Sequence, residues 1–357
     1  MNGRSNGRGL NYLLTLGSIV VILLITTWAQ RTLDPYRLRV LSVGAIYVTL
    51  AVGLNLVYGF TGQFSLGHAG FMAVGAYTSA LLTMPVAQKA RNFFIVPIHP
   101  ALENLQIPYL PALIIAGLMA ALLGWIVGVP VLRLRGDYLG MATLGFSEVV
   151  RVLINNMQTI TNGSMGLKGV PDYVNLYWAV GSAVVSVFIA ARLVNTSYGR
   201  ALKAIREDEI AAESVGVSLF YHKVLAFVAG AFFAGVGGAL LGHWSSAVDP
   251  KMFTITITFQ ILTIVVIGGL GSLTGTVIAS FAYAVAMEWL RFIEAPMKIG
   301  SIEIPGIVGM RMVLFGIVVL VVIVFYRQGL MGQREFAWDA FLRRKEAGTA
   351  AGAGKGV

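Results

Sequence analysis

From Tyr109 to Val131 the chain carries no charged side chain, and a run of that length and apolarity leaves few folds open. About 20 apolar residues in a helix match the hydrocarbon thickness of a bilayer. Backbone in hydrocarbon must satisfy its own hydrogen bonds, which a helix does. Comparable stretches recur at 10–30, 38–60, 68–84, 109–131, 138–157, 176–194, 223–245, 256–272, 274–290 and 309–327. Only 12% of residues are charged and 57% are hydrophobic, whereas a soluble domain carries roughly 25% charged residues. The pattern predicts an all-α, polytopic integral membrane helix bundle in a lipid bilayer, with about ten transmembrane helices. The span 138–157 and the closely spaced pair within 256–290 are the weakest, and eight is the fallback count.

Arg4 and Arg8 precede the first apolar run, as in a signal peptide. That run is longer than a typical signal core and lacks an A-x-A exit, so it reads as an uncleaved span. The expected organisation is a cytoplasmic tail over 1–9, a transmembrane domain over 10–327 with a cytoplasmic loop at 195–222, and a cytoplasmic, partly disordered tail over 328–357. With the 195–222 loop inside, strict alternation puts fifteen basic residues in inside segments against ten outside, which favours this orientation. The three arginines after the first span (Arg31, Arg37, Arg39) run against it.

Several chemistries are disfavoured. Cysteine is absent, so there is no disulfide framework or thiol nucleophile. The four histidines form neither H-x-x-H nor H-E-x-x-H, so no metal site is expected. No G-x-x-x-x-G-K-[ST] pattern exists, so the chain binds no nucleotide through a P-loop of its own and no cofactor is expected on it. The net charge of +10 is spread over loops and tails, which fits membrane orientation better than nucleic acid.

Two glycine-rich stretches interrupt the apolar pattern: GFTGQFSLGHAG from Gly59 to Gly70 and GGLGSLTG from Gly268 to Gly275. Irregular backbone at membrane depth is tolerated where protein or a water-filled cavity surrounds it. Paired interruptions in the two halves of a transporter point to a substrate path; a tight helix–helix turn needs the same residues. Gln63, Ser65, Gly67 and His68 are the pathway candidates from the first break. Glu148 joins them because a charge at the centre of a span costs about 2.5–3.5 kcal/mol on insertion scales. Arg151, three residues on, is its natural partner, and Glu288 and Arg291 repeat the spacing.

The stretch 195–243 has two halves. Its first half mixes Arg200, Lys203 and Arg206 with Glu207, Asp208, Glu209 and Glu213 and has apolar residues at helical spacing. Its second half carries Ala226, Gly230, Ala234, Gly238 and Gly242 at every fourth position, which lets another helix approach closely. An amphipathic helix outside the membrane joined to a tightly packed span suits a mechanical coupling element; an ordinary loop beside an ordinary helix is the plainer alternative.

Four stretches then carry a family resemblance: Leu54–Gly59 with Thr61–Phe71 and Gly75–Tyr77; Gly136–Leu139 with Thr143–Glu148; Thr161–Gly163 with Gly166, Leu167, Val170 and Pro171; and Gly199–Ala201 with Ala211, Ala212, Gly216, Lys223 and Ala234–Leu240. The chain resembles LivM-type permease subunits of bacterial branched-chain amino acid ABC importers over most of 40–330. The resemblance implies a transport subunit of the inner membrane, itself not an enzyme. It implies a second homologous permease, two cytoplasmic ATPase subunits that hold ATP and Mg, and a periplasmic amino-acid-binding protein. It further implies that a short cytoplasmic helix enters a groove on the ATPase, with Ile205, Arg206, Glu207, Asp208, Glu209, Ala211, Ala212 and Gly216 at that contact. The family's E-A-A-x-x-x-G pattern maps to Ile210-Ala211-Ala212 and Gly216, so its glutamate is replaced by Ile210 and the downstream I-x-L-P is missing. Urea and short-amide permeases look similar and stand as the nearest rival. An ion-coupled secondary transporter relying on Glu148 or Glu288 is the distant one.

Overall fold

The computed structural model describes residues 3–134, 136–294, 297–299, 302–304, 309–325, 329–332 and 335. Helix ends fall where the sequence sets prolines, glycines and capping side chains. α1 (Gly3–Thr32) is followed almost at once by α2 (Pro35–Val57), whose Pro35 sits at the helix start, where a missing N–H costs nothing. α3 (His68–Thr83) begins after the first glycine break. The Pro-rich 85–108 segment folds as two short helices, α4 (Val86–Asn92) and α5 (Pro100–Glu103). α6 (Tyr109–Val131), α7 (Asp137–Asn156) and the single turn α8 (Gln158–Thr161) follow. α9 (Leu176–Val194) is capped by Asn175, whose side chain accepts the Trp178 N–H at 3.1 Å. The charged loop holds α10 (Ser197–Glu207) and α11 (Glu209–Ser214), and beyond it run α12 (Leu219–Trp244), α13 (Ile255–Gly268), α14 (Leu273–Trp289) and α15 (Met310–Phe325). A two-residue antiparallel ladder, β1 (Leu167–Lys168) with β2 (Ala247–Val248), ties the loop before α9 to the end of α12. A hairpin, β3 (Met297–Ile299) and β4 (Ile302–Ile304), precedes α15.

Among the described residues, six helices are long and apolar enough to cross a membrane, and this corrects the expected ten. The physical reasons are specific. α3 and α15 have 16 residues each, and the described apolar part of α1 is only Val20–Thr32. α7 has 20 residues but carries Asp137, Glu148 and Arg151. The molecule is a multi-pass, nearly all-helical membrane protein.

α12 is the centre, packed against α2, α3 and α6 and buried over most of its length. Its contacts are backbone to backbone. A Cβ on Gly75 of α3 would lie 2.1 Å from the Gly235 carbonyl oxygen, and one on Gly238 would lie 2.1 Å from that of Met72. The every-fourth-residue series serves two neighbours: Gly230 meets Gly53 of α2, while Gly238 and Gly242 meet α3. Such close approach is what holds helices together where lipid removes the hydrophobic drive between them.

At one end of the bundle Lys89 is fully buried, and its Nζ donates to the carbonyls of Leu102 (2.7 Å) and Leu105 (2.6 Å), which pins the 85–108 segment. Burial pulls its pKa below the ordinary lysine range.

Gly75→Leu drives a side chain into the α12 backbone and should destabilise by about 3 kcal/mol, the upper end of overpacking. Gly181→Ala, on α9 with nothing within 4 Å of the added methyl, should be neutral or stabilise by up to about 1 kcal/mol. Thermal unfolding in detergent measures both.

Candidate functional site

The two glycine breaks, remote in sequence, meet in space. After α2 the chain turns through Gly62 (φ +73°) and runs non-helically to His68. The second break turns through Gly269 (φ +114°) and Gly271 (φ +82°) before Ser272 caps α14 by accepting the Gly275 N–H. Left-handed backbone of this kind is cheap only for glycine. Asn55, fully buried near the end of α2, joins the two. Its Nδ2 donates to the Ser272 carbonyl (3.0 Å) and Thr276 Oγ1 (2.7 Å), while its Oδ1 accepts the Gly271 N–H (3.0 Å). One amide thus satisfies backbone that two broken helices leave open.

A third element closes over this junction from α10. The Arg206 Nη1 donates to the Gly59 carbonyl at 3.0 Å, and its aliphatic stem lies over Gly62. A Cβ on Gly271 would come within 2.6 Å of Nη1, so only glycine leaves room for the guanidinium. Glu207 holds the other side of that group, accepting from Nη2 at 2.5 Å and Nε at 3.1 Å. A second latch runs from α11: Glu209 pairs with Lys223 at 2.6 Å, and Gln63 Nε2 donates to the Lys223 carbonyl at 3.3 Å. The expected C-terminal tail adds a fourth contact. Leu330 N–H donates to the Ile267 carbonyl, and Glu335 accepts the Leu273 and Thr274 N–H groups, a carboxylate at the start of α14. Arg334, Arg343, Arg344, Lys345, Lys355 and the stretch from Gly348 lie outside the described residues.

The charged loop is two helices, not one, because Asp208 takes extended backbone (φ −158°, ψ 115°) between them. Its Oδ1 then accepts the Ile210 and Ala211 N–H groups and starts α11. Of the residues expected at a partner contact, Ile205 and Ala212 are turned into the bundle, as is most of the Arg206 side chain. Glu207, Asp208 and Ala211 are exposed. Gly216 is exposed in left-handed backbone (φ +82°), with open space where a Cβ would stand. Ile210 (74% exposed) and Val215 (79% exposed) are the apolar side chains that α11 and its end present outward.

The pathway candidates separate. Gln63, Ser65, Gly67 and His68 stay together in the first break, all buried. That segment crosses α7 and α13: Leu66 N–H donates to Thr143 Oγ1 and Ala69 N–H to Thr258 Oγ1. His68 Nε2 and Gln63 Oε1 are buried without a hydrogen-bond partner. Glu148 stands apart on α7, paired with Arg151 at 2.6 Å, with both side chains about a third exposed (39% and 31%). Among the described residues no group of three or more His, Cys, Asp or Glu is placed to hold a metal. Sequence reasoning gave Asn55 no role, although a lone amide in an apolar span was the available signal.

A multi-pass helical membrane protein whose extramembrane helices grip two broken helices inside the bundle is the class that this geometry defines. Residues 36–323 match the family model described as "Branched-chain amino acid transport system / permease component", and the chain belongs to that family. It is 34% identical over 311 residues to the "High-affinity branched-chain amino acid transport system permease protein LivM" of Escherichia coli (strain K12), covering 76% of this chain and 68% of that protein. Against the protein of the same description from Salmonella typhimurium it is 35% identical, covering 69% of this chain and 61% of that one. The LivH permease protein of Salmonella typhimurium is 25% identical over 269 residues, 69% of this chain and 82% of that protein. No solved structure matches the chain.

Asn55→Ala should leave the buried Gly271 N–H unpaired, remove the amide's bonds to the Ser272 carbonyl and Thr276 Oγ1, and lower stability by about 1–3 kcal/mol. Arg206→Ala should be milder because the side chain is partly solvated, with faster hydrogen exchange at residues 59–63 as its signature. Thermal unfolding and exchange mass spectrometry check the two.

Proposed function

We propose that this chain is one of two homologous permease subunits of an ATP-driven ABC importer of branched-chain amino acids in the bacterial inner membrane. The family match over residues 36–323 carries this reading. Similarity to proteins named LivM and LivH supports a pair of related permeases, this chain taking the LivM-like place. On this reading ATP and Mg are held by two separate ATPase subunits, and a periplasmic protein delivers the cargo.

The geometry supports a division of labour in the coupling segment. The outward apolar side chains of Ile210 and Val215 are the docking face for an ATPase, with Glu213 beside them. The inward residues, Leu202, Ile205, Arg206 and Ala212, take no part in docking and transmit its movement. Displacement of α10 and α11 pulls on the Gly59 carbonyl through Arg206 and on α12 through the Glu209–Lys223 pair. Both breaks respond together because Asn55 ties them.

α7 supplies the wall facing the second permease. An ion pair a third exposed on the twelfth residue of a 20-residue helix is costly against lipid. Glu148 and Arg151 therefore turn toward the pathway between the two subunits. The pairing with Arg151 leaves Glu148 no lone ion-coupling carboxylate, which weighs against a secondary transporter. A urea or short-amide importer shares this architecture, and cargo binding to the cognate periplasmic protein separates the two.

Uptake in cells should stop on ATP depletion and survive collapse of the proton gradient. Loss of uptake with the gradient while ATP stays high would return Glu148 to the centre of the mechanism. Ile210→Glu with Val215→Glu should cut co-purification of the ATPase subunits by roughly tenfold or more, as for loss of a buried apolar anchor. Ala212 is buried against this chain and Gly216 holds left-handed backbone, so a Trp at either perturbs folding; Ala211→Trp, exposed on α11, is the better uncoupling variant. Normal coupled uptake in both the double variant and Ala211→Trp would sink the docking assignment.

A further inference from the structure

At the end of the bundle remote from Arg206 lies a second polar feature, a cavity of about 500 Å3 walled by α2, α12, α13, α14 and α15. α2 runs from Tyr36 at this cavity to Tyr58 beside the first break, and α14 runs from the second break to Glu288 at the cavity. With the 195–222 loop cytoplasmic, this is the periplasmic face. The volume falls within the ordinary range for small-molecule sites.

Its lining holds hydrogen-bond donors that lack acceptors. Trp244 Nε1 is buried and unpartnered. Arg311 Nε is likewise buried without a hydrogen bond, although Glu294 lies 3.5 Å away as an ion pair. The Arg39 guanidinium sits 4.9 Å from the Trp244 ring centroid, and no carboxylate among the described residues lies within 4.0 Å of it. Its hydrogen bond to the Trp244 carbonyl is long at 3.4 Å. Buried donors left without acceptors cost free energy, and three under-used donors in the lining of one cavity call for an anionic, acceptor-rich group. Arginine suits a carboxylate because its fork can bond both oxygens.

The same lining also carries a carboxylate. Glu288 accepts from the Tyr36 hydroxyl and from Arg291 (3.0 Å), both on its Oε1, and no described residue donates a hydrogen bond to its Oε2. The rest of the lining sets Val40, Val43 and Met287 beside Tyr47, Tyr283 and Gln260. Carboxylate-seeking donors, a carboxylate oxygen and apolar surface in one cavity match a zwitterion with an apolar side chain. We propose that this cavity is a binding site for free α-amino acids with aliphatic side chains at the outer mouth of the subunit, with Arg39, Trp244 and Arg311 taking the carboxylate and Glu288 the ammonium. The inference rests on the amino-acid-importer reading and adds to it a site on the permease itself.

The test uses the full transporter, both permeases with their ATPases, in nanodiscs without the periplasmic protein. Radiolabelled leucine should bind saturably. 4-Methylpentanoate, which lacks the ammonium, should compete, while leucinol, which lacks the carboxylate, should be weaker by roughly tenfold or more, the scale of a lost charged hydrogen bond. Arg39→Ala and Arg311→Gln should each weaken leucine by a similar factor and abolish the preference of 4-methylpentanoate over leucinol, with Arg39→Lys recovering part of it. Met287→Trp should block binding by filling the cavity while leaving both arginines in place. Unchanged leucine affinity in all these variants would overturn the site, as would loss of a bound anionic phospholipid from the arginine variants with leucine affinity intact. ATP-driven leucine uptake by the wild-type complex with its periplasmic protein is measured alongside. Intact uptake with no cavity binding defeats this inference alone, and absent uptake defeats the importer reading beneath it.

Discussion

Hydrocarbon offers no hydrogen bonds, so a helix that stops inside a membrane protein must find partners for its open backbone within the protein. Here one residue meets much of that demand. Asn55 uses both ends of its amide on the second break while standing at the end of the helix that leads into the first. Without it, the N–H of Gly271 would face an apolar interior, and the carbonyl of Ser272 would be left to Thr276 alone. The left-handed turns at Gly62 and Gly271 and the access of Arg206 to Gly59 all depend on that junction being closed.

The α10–α11 segment is built as two shells. Its inner shell is polar where it meets open backbone, through Arg206, and ionic where it meets α12, through Glu209 and Lys223. Its outer shell is apolar and exposed at Ile210 and Val215. The function proposed above uses both: a surface that another protein can hold and a set of bonds that carry the pull inward. The cavity near Arg39 lies at the other end of the same helices, so α2 and α14 link what happens at the two faces.

Much of this was legible in the residues. Apolar runs gave the helices, because hydropathy reports directly on what a bilayer accepts. The helix count failed where length and polarity part company, at the 16-residue α3 and α15 and the charged α7. The glycine breaks were visible as composition. Their meeting was not, because the Gly271–Asn55 bond spans 216 residues and no local pattern encodes it. Arg206 is expected from the family resemblance at the ATPase contact, not on the Gly59 carbonyl. Its spacing held the clue: it lies four residues after the buried Leu202, so it shares that inward face. The exposed Ile210 is the converse, an apolar residue at the place where the family's pattern has a charge.

The glycine contacts of α12 also govern how the bundle can deform. Ordinary helix pairs are cushioned by side chains that hop between rotamers. The Gly75–Gly235 and Gly238–Met72 contacts contain no such cushion. Sliding α3 along α12 by one residue would bring a neighbouring Cβ against a carbonyl, so axial slip is blocked. Close contacts spread from Gly230 to Gly242 against α2 and α3 fix α12 in register with both, so the three helices can shift only as one block.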